Sequence, residues 1–410
     1  MATRGTVTLV AAFAVALAIR LVITAGFQGL TSPPNLGANP DQAEYEQIAF
    51  NLSRGHGYSV NGTQPTAVRP PGFALTLWPV YAAFGRSFLA ARITIITLSA
   101  LTCVVAGWIG YALGGWWCAM IAAWWLALYP GHFYYAMHFL SEPIFAFWLA
   151  AALALTIAAF RTDRLILNVA AGACWGMAIL TRVELVVAVP IACALLVFER
   201  REERRARARQ WIVQALVIAA MLAPWVIRNG VVMHEYTLST QGGCTFWGAH
   251  NDVTFGSTRF AGTWVDCSKV VDPAHPMRGN EIERNHLTMS YGVEAVRAHA
   301  AQLPYLTAMK VWRLMSPYFE TPNRVSLYAM AIGWIGTAPF FAWGLTTWCR
   351  MTTPARSIGL TLLSPLLATL VTTVIFYGSP RYRDAAAPVV IVFAAIGLLR
   401  GIPRASEWRT

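Results

Sequence analysis

The chain has 410 residues, of which 57% are hydrophobic and only 12% are charged, and its formal net charge is +12. A soluble domain carries about twice this share of charged residues, so the composition excludes an ordinary water-soluble globular protein. The positive charge comes almost entirely from arginines in short loops between apolar blocks. This pattern is typical of membrane topology signals and not of nucleic-acid binding.

The apolar blocks predict an all-α polytopic membrane protein with a bundle of about ten transmembrane helices. In chain order, the predicted spans are 7–27, 88–112, 116–135, 143–160, 165–181, 184–198, 210–228, 325–347, 357–377 and 385–400. A helix needs roughly 17 residues to cross the hydrocarbon core. Several blocks are near this minimum, so the count is open by one or two. No small-residue cleavage site follows the first block, so we expect it to be retained as a span.

The placement of arginine predicts the orientation of the chain. The densest charge cluster, residues 199–209, is expected to face the cytoplasm. Ten spans with both termini in the cytoplasm place the other arginine-rich loops on the same side; these carry Arg161 and Arg164, Arg350 and Arg356, and Arg400 and Arg404. The predicted location is therefore the inner (cytoplasmic) membrane.

This orientation places three segments outside: 28–87, a short turn at 136–142, and 229–324, the largest polar region. All eight histidines lie in these segments or at the outer ends of spans, so we expect the chemistry on the outer face. Cys244 and Cys267 lie in the third segment. These two cysteines could form a disulfide if the segment faces an oxidising compartment, or they could be free thiols, and the sequence does not decide between the two.

The predicted organisation has three parts. They are an N-terminal transmembrane catalytic module at 1–228, the outer segment at 229–324, and C-terminal transmembrane helices at 325–410. Two apolar stretches in the outer segments, 71–84 and 303–318, are too short or too charged to cross the bilayer. We expect them to lie along the outer membrane surface as juxtamembrane helices.

Carboxylates near the predicted membrane boundary are candidates for chemistry. Asp41 precedes a predicted short helix and Glu44 lies three residues later, so a capping box and a surface-held general base are both open. Glu142 begins a span, where an ionisable side chain is costly and usually functional, although the helix dipole also favours a first-turn glutamate. Glu184 is predicted to form a structural ion pair with Arg182.

Three arginines at the predicted outer mouths of spans are candidates for binding a phosphate. Arg69 precedes two stiffening prolines, and Arg381 and Arg383 lie between the last two spans. The fork of a guanidinium group matches the geometry of phosphate oxygens. The alternatives are contact with lipid head groups for Arg69 and a snorkelling pair for the other two.

The order of these motifs resembles the GT-C superfamily of membrane glycosyltransferases, in particular the branch with protein O-mannosyltransferases and lipid A aminoarabinose transferases. The motifs are Asp41 with Tyr45 four residues on, Gly-His-Gly at 55–57, Arg-Pro-Pro-Gly at 69–72, Leu-Ser-Glu-Pro at 140–143, Leu-Thr-Arg-x-Glu at 180–184, Pro-Trp-x-Ile-Arg-Asn at 224–229 and Arg-Tyr-Arg at 381–383. The resemblance implies a multi-span fold, a catalytic carboxylate in the first outer loop, and a sugar donor carried on a polyprenyl phosphate.

The resemblance also implies roles for individual residues. Asp41 and Glu142 correspond to catalytic carboxylates, and Arg69, Arg381 and Arg383 to donor phosphate-binding residues. The candidate substrate-binding residues are Tyr45, His56, His138 and Tyr382.

The chain departs from the family pattern at two positions. Gln42 stands where many members have glutamate, which weakens any claim that the acceptor is a protein. Val183 stands where proline is usual. Recognition of the acceptor is expected to rest on 229–324.

The sequence thus predicts an inverting glycosyltransferase that moves a sugar from a polyprenyl-phosphate donor to an acceptor hydroxyl on the outer face. The acceptor is open among a lipid, a glycan, a protein and a small molecule. A transporter or flippase of a lipid-linked sugar is the alternative, and a non-catalytic scaffold is a third. The absence of an internal repeat favours the enzyme over the transporter. No cofactor is expected, and the ligand spacing predicts no metal site, while a divalent metal near Asp41 and Glu142 stays open.

Overall fold

In the computed structural model, the described residues are 2–36, 39, 41–270, 275–318, 321, 323–352 and 355–401. They form an all-α fold whose sole extended pairing, within those ranges, is an isolated bridge between Ser59 and Pro65. Arg404, one of the predicted cytoplasmic arginines, lies outside the described residues.

Helices follow one another along the whole described chain. They are α1 (Ala2–Phe27), α2 (Asp41–Ser53), α3 (Gly72–Phe84), α4 (Phe88–Leu128), α5 (Pro130–Ala136), α6 (Ser141–Thr162), α7 (Leu165–Thr181), α8 (Ala188–Leu195), α9 (Arg201–Met233), α10 (Gly242–Ala249), α11 (Asp252–Gly256), α12 (Glu281–Ala298), α13 (Leu303–Met315), α14 (Arg324–Cys349), α15 (Ala355–Ile375), α16 (Pro380–Ala385) and α17 (Ala387–Gly401). Short 3₁₀ turns lie between some of them.

Six of these helices are long and apolar enough to cross a membrane: α1, α4, α6, α9, α14 and α15. Shorter apolar helices include α3, α7, α17 and the pieces from Val183 to Phe198. The protein is therefore a multi-pass membrane protein. Its clear spans, judged by length and composition over the described residues, are fewer than the predicted ten.

The first difference from the predicted spans concerns α4, which consists of two helices that meet at a kink. The backbone is not helical at Gly114 and Gly115, so the break that the sequence predicts between the spans 88–112 and 116–135 is present. Gly115 has φ +78°, a left-handed conformation that glycine adopts without a Cβ clash. The second span is shorter than predicted because α4 ends before Pro130, and the residue preceding a proline disfavours helical geometry.

The second difference concerns the short apolar stretches. The predicted span 184–198 is interrupted, since 3₁₀ turns at Val183–Val187 and Leu196–Phe198 flank α8. The two stretches predicted to be too short to cross are α3 and α13, with 13 residues each. A helix of this length reaches only about 20 Å, less than the roughly 30 Å hydrocarbon core.

Close helix packing holds the bundle together. Helix α4 packs against α1, α6 and α17, and α14 packs on α17. A Cβ atom added at Gly344 would lie 1.8 Å from the Phe393 carbonyl oxygen, and one at Gly397 would lie 2.0 Å from the Phe340 carbonyl oxygen. Glycine therefore lets the two helix backbones come into contact. Close packing of this kind holds helices together in a membrane, where the hydrophobic effect does not drive them together.

The polar segment 229–324 contains α10 to α13. A disulfide joins Cys244 to Cys267, so of the two alternatives left open by the sequence the bonded one is present. The bond ties α10 to the 3₁₀ turn Cys267–Lys269 across a sequence separation of 23 residues. This constraint stiffens the part of the segment that precedes α12.

Candidate functional site

Asp41 lies at the start of α2 and faces two arginines. Its Oδ1 accepts a hydrogen bond from Arg69 Nη2 at 2.8 Å, and its Oδ2 accepts one from Arg381 Nη1 at 3.0 Å. Glu44 accepts from Arg69 Nε at 2.7 Å. Both carboxylates therefore bind arginine, and neither completes the capping box that the sequence left open.

Arg381 joins the two predicted catalytic carboxylates. It lies in α16, where Pro380 occupies the first turn and the Ser379 hydroxyl accepts from the Arg381 amide at 3.2 Å. Its Nη1 binds Asp41, and its Nε makes a close ion pair with Glu142 Oε1. One guanidinium group thus links the 28–87 segment to the start of α6.

Glu142 is buried in the first turn of α6. Its Oε1 also accepts from Arg182 Nη1 at 2.7 Å, while its Oε2 has no partner among the described residues. Arg182 binds Glu184 as well, at 2.5 Å from its Nε. The predicted structural pair is therefore present, but it is also a continuation of the site.

The result is one cluster, defined by Arg69, Arg182 and Arg381 with the carboxylates of Asp41, Glu44, Glu142 and Glu184. Three guanidinium groups and four carboxylates give the cluster a formal charge of −1. Arg69 Nη1, Arg182 Nη2 and Arg381 Nη2 make no hydrogen bond to any described residue. The side chains of Arg69, Arg182 and Arg381 are 15%, 10% and 23% exposed, so a ligand at the surface of the cluster can accept from them.

The ionisation of Asp41 follows from its neighbours. Burial raises the pKa of this carboxyl group, but the charges of Arg69 and Arg381 outweigh burial and lower the pKa to about 2. Asp41 is therefore ionised at neutral pH, and both of its oxygens are engaged. The charges of Asp41 and Glu44 in turn raise the pKa of Arg69, although burial acts to lower it.

The backbone that presents Arg69 is held by residues that the sequence analysis did not select. The Glu281 carboxylate, at the start of α12, accepts from the Thr66 hydroxyl at 2.6 Å, the Ala67 amide at 2.9 Å and the Thr240 hydroxyl at 2.5 Å. The backbone of 66–69 accepts further hydrogen bonds: the Tyr58 hydroxyl donates to the Arg69 carbonyl at 2.9 Å, the Ser239 hydroxyl to the Val68 carbonyl at 3.0 Å and Arg228 to the Thr66 carbonyl at 2.8 Å. Through Glu281 and Ser239, the segment 229–324 therefore holds the loop that carries Arg69.

Two of the predicted substrate-binding tyrosines lie at the cluster. The Tyr45 ring packs on Phe73 with centroids 4.8 Å apart, and the Arg69 guanidinium lies 5.2 Å from the Tyr45 ring centre. The Arg182 guanidinium lies 5.3 Å from the centre of the Tyr382 ring. Aromatic faces beside arginines stabilise the cations and give them a fixed orientation.

The two predicted histidines differ from each other. His138 is buried between α5 and α6, its Nδ1 has no partner among the described residues, and burial lowers its pKa to about 4. It is therefore neutral at physiological pH. His56 is exposed in the loop after α2 and makes no contact with the cluster.

Arg383 is not brought to the cluster. It pairs with Asp384 at 3.0 Å, donates to the carbonyl groups of Leu314 and Ser316 at 3.2 and 3.0 Å, and lies 3.9 Å from the centre of the Trp334 ring. Residues two apart on a helical turn point to different sides. Arg381 and Arg383, which were predicted to act as a pair, therefore bind different partners. Arg383 holds α16 against α13 and α14.

Sequence reasoning treated Arg182 only as a structural partner of Glu184, and it missed Glu281. A signal for Arg182 was present, because it directly follows a short apolar helix at the membrane boundary, as Glu142 lies in the first turn of a long one. Glu281 carries no such signal, since it stands in a polar stretch among other charges.

A metal ion does not fit the cluster as it is arranged. Both oxygens of Asp41 and one of Glu142 bind guanidinium groups, which compete with a cation for the same oxygens. Within the described ranges, the one set of side chains close enough together to share a metal ion is Cys244, Asp266 and Cys267, and its two cysteines are joined in the disulfide.

Comparison with known proteins supports the fold. No protein-family model matches the sequence, and no curated protein sequence does either. The oligosaccharyltransferase of Archaeoglobus fulgidus in its apo form has a TM-score of 0.58 at 16% identity, over 96% of this chain and 50% of that one. The same organism's AglB, in complex with an inhibitory peptide and a dolichol-phosphate, has a TM-score of 0.52 at 14% identity, over 94% and 50%.

A third structure, ArnT from Cupriavidus metallidurans bound to undecaprenyl phosphate, has a TM-score of 0.43 at 15% identity, over 93% of this chain and 76% of that one. This score is too low to carry an argument. The chain spans about half the length of the two oligosaccharyltransferase structures. At this identity the similarity shows the fold alone: the chain is similar in fold to these archaeal oligosaccharyltransferase structures.

Proposed function

We propose that the protein is an inverting glycosyltransferase that moves a sugar from a polyprenyl-phosphate donor to an acceptor hydroxyl on the outer face of the cytoplasmic membrane. The observation that carries this proposal is the convergence of Arg69 and Arg381 on Asp41, with Arg381 also bound to Glu142. In this proposal Asp41 is the base and the two arginines are the phosphate-binding groups, and the ion pairs hold all three together.

The residue types suit this chemistry. The acceptor oxygen attacks the anomeric carbon from the side opposite the phosphate, and its proton passes to Asp41. The bond between the anomeric carbon and the phosphate oxygen breaks, and that oxygen keeps the electron pair. Arg69 and Arg381 stabilise the negative charge on the phosphate. A phosphate leaving group needs positive charge and not a proton, so one base and two cations suffice.

The donor class has support from a relative in fold. The AglB structure holds a dolichol-phosphate, and the three arginines here retain N–H groups that no described residue accepts. A lipid phosphate at the membrane surface is the anion that such a cluster would bind. In this role Arg182 takes the place that the sequence analysis gave to Arg383.

The proposed topology keeps ten crossings. The kink at Gly114 and Gly115 divides α4 into two crossings, and α5 completes the second one, whose own helix is short. Helix α7, the pieces from Val183 to Phe198 and α17 supply three short crossings beside the other five long helices. Both termini then lie in the cytoplasm, and the cluster lies at the outer face. Segment 229–324 covers it from outside and would bind the acceptor.

The test is transfer of radiolabelled sugar from synthetic polyprenyl-phosphate donors by membranes that contain the wild type or Asp41→Asn. The matched control is Glu46→Gln on the same helix, because Glu46 pairs with Arg86 at 2.6 Å, outside the cluster. We expect transfer by the wild type and the control and none by a folded Asp41→Asn. Equal sugar transfer by all three proteins would rule out Asp41 as the base and make Glu142 the candidate. Donor binding without transfer to any acceptor would favour the transporter.

A further inference from the structure

The two arginines that hold Asp41 are themselves held in the same way. Arg69 binds Glu44 through Nε and Asp41 through Nη2, and Arg381 binds Glu142 through Nε and Asp41 through Nη1. In each case a carboxylate other than Asp41 fixes the Nε side of the guanidinium group. The terminal nitrogens can therefore exchange partners while the arginine stays in place.

This arrangement leaves Asp41 unable to act as a base. Each of its two oxygens accepts a charge-assisted hydrogen bond, and these are the strong ones. A base works best with a pKa near the operating pH, whereas the pKa of Asp41 is about 2. Among the described residues, the other groups that face Asp41 are the phenols of Tyr45 and Tyr377, which do not release it.

We propose that the donor phosphate itself releases the base: it takes the terminal N–H groups of Arg69 and Arg381 from Asp41, so that a free carboxylate oxygen exists only in the donor complex. This inference rests on the proposed function. A phosphate offers the same guanidinium groups several oxygens in bidentate geometry, and the unused Arg69 Nη1 and Arg381 Nη2 give it first points of contact. Donor then binds before the acceptor is deprotonated.

Release of Asp41 from the two arginines should change the number of protons that the protein binds. With the arginines engaged by phosphate, the pKa of Asp41 rises toward its ordinary value of about 4. A carboxyl group that moves from a pKa of about 2 to about 4 takes up roughly half a proton per ligand bound near pH 4. Near neutral pH the carboxylate stays ionised in both states, so no proton is taken up there.

The experiment is calorimetric titration of the full chain in lipid nanodiscs with a short polyprenyl methyl phosphodiester, whose single charge does not titrate in this range. Heats in buffers of different ionisation enthalpy give the protons taken up, near pH 4 and near pH 7, for the wild type, Asp41→Asn and Glu46→Gln. We expect uptake near pH 4 in the wild type and Glu46→Gln, and its loss in Asp41→Asn although the phosphodiester still binds.

Each of the other outcomes would contradict either the release of Asp41 or the proposed function. Binding with equal uptake in the wild type and Asp41→Asn would overturn release of Asp41 and leave the proposed function standing. Absence of binding to the wild type would overturn both. If Asp41→Asn fails to fold, Arg381→Lys serves instead, because a lysine cannot hold Asp41 and Glu142 with one fork. Uptake by Arg381→Lys should fall below half the wild-type value, and undiminished uptake would contradict the inference.

Discussion

Arg381 Nη1 lies 3.0 Å from Asp41 Oδ2, although the two residues are 340 positions apart in the chain. The contact joins the segment before the last span to the segment after the first one. It places a guanidinium group between two carboxylates, with Glu142 on its other side.

Arg381→Gln should abolish most sugar transfer. Loss of one preorganised cationic donor to a developing negative charge lowers kcat by about 100-fold or more, and Asp41 would also lose a partner. The measurement is kcat and KM for transfer from a polyprenyl-phosphate donor. The control is Arg86→Gln, which removes an arginine that pairs with Glu46 and Gln47, away from the cluster. A similar loss in both variants would point to folding and not to the site.

Glu281→Gln should weaken transfer without removing any group that touches the donor. The neutral side chain loses charge-assisted hydrogen bonds to Thr66 and Ala67, so the loop that carries Arg69 becomes less well positioned. We expect kcat/KM to fall about tenfold, since small misplacements at a site are costly. Glu283→Gln on the same turn is the control, because Glu283 only caps its own helix through the Asn280 amide. Unchanged transfer by Glu281→Gln would show that its hydrogen bonds to this loop are dispensable.

Lys310 should make the stability of the protein depend on pH. Its buried amine contacts His250 Nε2 at 2.7 Å and donates to the Val374 carbonyl at 3.1 Å, and burial lowers its pKa to about 7. The unfolded chain holds this proton up to about pH 10, so folding releases it between these values. Stability should therefore rise with pH from 7 to about 10, by up to about 1.4 kcal/mol per unit.

The measurement for Lys310 is Tm against pH in the wild type and in Lys310→Met. The rise above pH 7 should be lost in Lys310→Met and kept in Lys269→Met, which removes the chain's other lysine. His250 does not confuse the result, since burial and the nearby charge of Lys310 lower its pKa to about 4. A rise of equal slope in all three proteins would assign the effect to another group.

Removal of the disulfide should lower stability. A bond that closes a separation of 23 residues restricts the unfolded chain and contributes about 3 kcal/mol. Cys244→Ser with Cys267→Ser should therefore lower Tm by several degrees, and a reducing agent should do the same to the wild type. Cys349→Ser, which replaces an exposed free thiol, should leave Tm unchanged. An equal Tm with and without reducing agent would contradict the prediction.

Much of the architecture could be predicted from local sequence. The apolar blocks coincide with helices because a membrane offers the backbone no hydrogen-bond partners and the helix supplies them internally. The breaks between helices are local as well: Gly114 and Gly115 permit the kink between the two predicted spans in α4, and Pro130 ends the second one early. The crossing number could not be fixed in this way, because several helices are close to the minimum length.

The sequence by itself determined that this is a helical membrane protein, and the order of its motifs selected Asp41, Glu142, Arg69 and Arg381 as candidates. Only the tertiary structure decided which charges meet. It brought Arg381 to Asp41 and Arg182 to Glu142. It also turned Arg383 to Asp384 and placed Glu281 against the loop that carries Arg69. Helix formation depends on neighbours within a few residues, whereas an ion pair depends on how distant segments pack, which no local pattern records.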